Sequence, residues 1–123
     1  MPDTELEKEL QEIEVTIEGL QVYVDRAAVL ERLMANKDFQ QIIDQEYFVN
    51  ECSRMLLLRD DPNLPPEKKK FLEADMFGPG ALKRYFHGIF QMGQMALAQI
   101  AEARETMDEI HDEIAETAEG GDE

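Results

Sequence analysis

Residues 4–34 read TELEKELQEIEVTIEGLQVYVDRAAVLERLM, and this stretch decides the fold class. Leu6, Leu10, Ile13, Ile17, Leu20, Val24 and Ala27 alternate spacings of four and three without a break. That is a heptad seam, the pattern that keeps one apolar stripe of an α-helix facing a partner helix. Thr4 with Glu7 has the spacing of a capping box, in which side chain and backbone satisfy two free amides reciprocally. Past Ala27 the strict alternation gives way to Val29, Leu30, Leu33 and Met34, a broader face suited to a multi-helix body.

A second seam occupies the C-terminal third. Leu82, Phe86, Ile89, Gly93, Ala96, Ile100, Ala103, Met107, Ile110 and Ile114 again alternate by four and three, predicting a helix over about 80–118. Gly88 and Gly93 each cost helix propensity, which points to close backbone approach at both positions. Set antiparallel, the two seams match layer by layer: Leu6 with Ile114, Leu10 with Ile110, Ile13 with Met107, Ile17 with Ala103, Leu20 with Ile100, Val24 with Ala96 and Ala27 with Gly93. The same register sets Glu7 beside His111 and Glu14 beside Arg104. Pairing between two chains uses the same heptads and remains open at this level.

Between the seams, a helix is predicted over about 38–58, started by Asp38 with Gln41 after a break at Asn36. Its apolar set, Phe39, Ile42, Ile43, Tyr47, Phe48, Cys52, Met55 and Leu56, spans so much of the circumference that cover on more than one side is expected. Residues 60–66 form a proline-marked loop, 66–75 a short helix, and Gly78-Pro79-Gly80 ends that stretch. The expected architecture is all-α. It is one domain with an acidic antiparallel coiled-coil stalk (1–27 and 98–119, on helices of about 4–34 and 80–118), a helical body (28–97) and a flexible tail (120–123).

Composition excludes several functions. The 123 residues carry 28 acids against 12 bases, a net charge of −16, which disfavours direct nucleic-acid binding. Residues 1–26 hold −6 and residues 102–123 hold −9, leaving the middle near balance. The longest apolar run, Met55–Leu58, is far short of a membrane span, and the acidic N-terminus is unlike a secretory signal. One cysteine permits no intramolecular disulfide. Asp108 precedes His111 by three, half of a helical di-metal pattern, but His87 has Arg84 in that place. Cys52 lies in an apolar set and Ser53 has no histidine nearby in sequence to activate it. No catalytic residue, cofactor or metal is expected.

Binding surfaces remain. Tyr85, Phe86, Phe90, Met92 and Met95 form an aromatic and Met-rich stretch, an adaptable apolar docking surface where exposed. Lys68, Lys69 and Lys70, with Lys83, Arg84 and Arg59, offer a basic patch. Glu105, Asp108, Asp112 and Glu116 make an acidic face.

Three segments carry a resemblance: Leu30-Glu31-Arg32-Leu33 with Asn36-Lys37-Asp38-Phe39 through Ile43; Tyr47-Phe48 with Glu51 and Arg54; and Ala81-Leu82-Lys83-Arg84-Tyr85-Phe86 through Gln91-Met92-Gly93. Over about residues 28–100 the chain resembles small acidic helical proteins encoded among the virion and packaging genes of tailed bacteriophages. The resemblance implies a non-enzymatic virion or assembly component. Its partners would be other viral structural proteins or further copies of itself, and its location the virion or the host cytoplasm. The alternative from charge alone is an acidic inhibitor that imitates DNA phosphates in the basic cleft of a host or defence protein.

Overall fold

The computed structural model describes the backbone of residues 2–120 and the side chains of residues 5–119. It is all-α, with no strand among the described residues. The elements are α1 (Pro2–Met34), α2 (Lys37–Phe39), a π-helix (Gln40–Glu51), α3 (Cys52–Arg59), α4 (Pro66–Asp75) and α5 (Phe77–Gly120). The Thr4 half of the capping box and residues 121–123 of the expected tail lie outside this description.

Three local expectations are corrected. The helix after the break is started by Asn36, not by Asp38 with Gln41. At φ −72°, ψ 131° Asn36 is extended, and its Oδ1 accepts from the amides of Asp38 and Phe39. Asp38 therefore sits inside the first turn, where its charge favours the positive end of the helix dipole. Gly78-Pro79-Gly80 is likewise no terminator. The break falls at Met76, and Pro79 occupies the first turn of α5, where no amide has an intrahelical acceptor to lose. The third correction concerns cover. The half-buried or buried positions from Phe39 to Met55 are Phe39, then the pairs Ile43-Asp44, Tyr47-Phe48 and Glu51-Cys52, then Met55, a spacing that fits a winding wider than 3.6 residues per turn. One stripe is thus protected, while Ile42 and Leu56 keep 55% and 52% of their surface exposed.

The chain divides into two compact units, one of Met1–Ala27 with Gln91–Glu123 and the other of Ala28–Phe90. In the first, the described residues that are not exposed are the heptad positions of both segments, joined only by Gln21. Ala96, Ile100 and Ile110 are the most deeply buried. Gly93 lies so close to Ala27 that a Cβ there would stand 2.7 Å from the Ala27 Cβ. Arg26 donates to the Met92 sulfur at 3.4 Å, and Leu20 and Tyr23 share a shallow cleft with Ala96 and Gln99. Residue numbers rise along 20–27 as they fall along 92–99, so these stretches run in opposite directions. This contact also explains why the C-terminal boundary falls at Phe90 rather than at residue 97. The polar additions do not form: neither Glu7 with His111 nor Glu14 with Arg104 is an ion pair among the described residues. Gly88, unlike Gly93, has open space around it.

In the second unit, Leu30, Met55, Leu72, Pro79 and Ile89 are buried. Arg59 reaches Glu73 at 3.8 Å, linking α3 to α4, and Asp61 Oδ1 accepts from the Asn63 amide to shape the loop between them. Proline at the first position of α4 supplies a pre-set φ at a place that needs no donor.

Candidate functional site

Within Ala28–Phe90, a cleft of about 560 Å³ opens along α5 and the π-helix. The sequence builds its walls by helical spacing. On α5, Phe86 and Phe90 stand four apart, as do Lys83 and His87, so apolar and basic side chains alternate along one side. The π-helix contributes Asp44, Phe48 and Val49, and Met34 at the end of α1 completes the lining. Phe86 meets the rings of Phe39 and Phe48 at centroid distances of 6.0 and 6.5 Å, the second nearly edge-on, so the aromatic floor is fixed from two helices. Lys83 Nζ sits 5.0 Å from the centroid of the Phe48 ring, a cation–π contact. Asp44 is half-buried and has neither a hydrogen bond nor an ion pair among the described residues.

The anticipated docking stretch is divided by the fold. Phe86 and Phe90 line this cleft. Met92 and Met95 belong to the acidic unit and line its shallow cleft with Tyr23. Tyr85 is 61% exposed and lines neither. The basic residues scatter in the same way. Lys68, Lys69 and Lys70 are exposed on α4 with Glu67 and Glu73 close by, Lys83 is in the aromatic cleft, and Arg59 is paired with Glu73. Glu105, Asp108, Asp112 and Glu116 all face water on α5.

Four lining residues have no signal in the sequence as site residues: Met34, Asp44, Phe48 and Val49. Each comes from a segment that reads as core, and only the tertiary contact turns that segment toward α5. The i,i+4 spacing of Lys83 and His87 is visible in the sequence, but its meaning depends on the wall opposite.

Charge chemistry is otherwise sparse. Arg54 grips Glu51 through two hydrogen bonds that water can reach, which hold the Glu51 carboxyl below its usual range. No set of three or more His, Cys, Asp or Glu side chains among the described residues is placed to hold a metal ion. No described helix is long and apolar enough to cross a membrane.

No protein-family profile, curated protein or solved structure matches this chain.

Proposed function

We propose that this chain is a non-enzymatic structural or assembly protein of a tailed bacteriophage, acting through helix-mediated protein–protein contacts in the virion or the host cytoplasm. Exposed surface carries the reading. Large apolar side chains on the helices lie bare: Leu57, Phe71 and Phe77 are 75%, 74% and 74% exposed. Surface of this kind is what partners cover. In this reading the heptad seams pair antiparallel throughout, and the carboxylates along them keep the protein soluble and away from DNA. The viral setting comes from the resemblance over residues 28–100.

Quantitative mass spectrometry of purified virions and of assembly intermediates tests it. A fixed copy number in either supports the role, and absence from both removes it. A second reading, the DNA-mimic inhibitor, is favoured by one observation: Glu105, Asp108, Asp112 and Glu116 are all exposed, and none is in an ion pair among the described residues. It requires steeply salt-dependent binding to a basic protein that is lost when these four become Gln or Asn.

A further inference from the structure

The cleft in Ala28–Phe90 combines an apolar floor with unlike charges on two elements, Asp44 on the π-helix and Lys83 on α5. Asp44 is partly withdrawn from water, yet it is unpaired within the described chain although Lys83 lines the same cleft. Lys83 lies instead over Phe48. A carboxylate held in this way gains from a cation brought by a partner. An acid and a base across one apolar floor are also self-complementary under a two-fold axis, because each copy offers what the other lacks.

Charge selects the occupant. The unit of Met1–Ala27 with Gln91–Glu123 holds 18 acids against three bases and repels its own kind, whereas Ala28–Phe90 holds ten against nine and does not. Val49, at the cleft, is 50% exposed and free to be covered.

We propose that this cleft seats a second copy of the same chain, the two joined two-fold through Ala28–Phe90, with Asp44 of each copy paired to Lys83 of the other. The proposal rests on the protein–protein reading above and names the partner as self.

Sedimentation equilibrium of the full chain over a concentration series is the test, with circular dichroism checking that each variant keeps its helices. The wild-type chain dimerises. Asp44→Lys sets lysine against lysine at both contacts and Lys83→Asp sets acid against acid, so each raises the dissociation constant about tenfold or more. Mixed in equal amounts, the two variants regain affinity as a heterodimer, since each joins the other without the repulsion that both suffer alone. Val49→Lys, at a half-exposed position, weakens the dimer without touching a buried side chain. Three results overturn the proposal: a wild-type chain that is monomeric throughout, a dimer indifferent to folded forms of all three variants, or a mixture no tighter than its components. A monomer that still copurifies with virions sinks self-association alone. A dimer absent from virions and intermediates sinks the viral role alone.

Discussion

Gly88 and Gly93 both lie inside α5, and alanine at either recovers up to about 1 kcal/mol of helix propensity. At Gly88 nothing opposes that gain, so Gly88→Ala raises the melting temperature. At Gly93 the new methyl collides with the Ala27 Cβ, and neither carbon can swing away because each is fixed to its backbone. Overpacking of this kind costs about 1–3 kcal/mol, so Gly93→Ala lowers the melting temperature, and adding Ala27→Gly restores most of the loss. Thermal melts of the three variants by circular dichroism check the signs. Glu51 supplies a second prediction at this scale. Its carboxyl titrates below the usual range because Arg54 donates to the charged form. The small stabilisation is therefore complete above the ordinary carboxylate pKa and fades as pH falls through the lowered one. Arg54→Gln moves the Glu51 midpoint upward in a carboxyl-resolved NMR titration.

Among the elements, the start at Asn36 is the most vulnerable to a single change. Its side chain satisfies two amides that have no intrahelical acceptor, at the break between α1 and α2. Asn36→Ala costs about 1 kcal/mol, measured as a loss of unfolding free energy in urea, while Asn36→Asp is near neutral. The π-helix is the element least legible in the sequence. Its residues read as an α-helix with too many apolar positions, a surplus that predicts burial on a second side. The wider winding instead gathers adjacent pairs, Ile43-Asp44, Tyr47-Phe48 and Glu51-Cys52, on one side and leaves Ile42 at the surface. No sequence signal separates the two windings, since both use the same residues and differ in which carbonyl each amide selects.

For the whole molecule, the uneven distribution of charge governs response to solvent. Met1–Ala27 with Gln91–Glu123 gathers 18 acids and three bases, and its apolar contacts hold that charge together against repulsion. Raising ionic strength from about 0.01 to 1 M shortens the screening length from about 30 to 3 Å. The repulsion then fades and the melting temperature rises by a few degrees, about what 1 kcal/mol supplies. Calorimetry over a salt series checks this, and a flat or falling trend contradicts it. The near-neutral Ala28–Phe90 unit is insensitive to the same change, so an amide-exchange readout separates the two responses.

The heptad residues alone are enough to name the long helices and their buried stripes, because spacing on a helix is spacing on a face, whereas the contact of Gly93 with Ala27 of the same chain is decided by the tertiary structure. The loop before Pro66 is equally plain, since proline removes donors wherever it stands. The aromatic cleft belongs to the other kind of property. Asp44, Phe48 and Val49 come from one segment and Lys83, Phe86, His87 and Phe90 from another. Nothing local to either stretch records that they share a cavity. A cavity exists only where two surfaces meet, so its lining and its unpaired carboxylate are set by packing between elements distant along the chain.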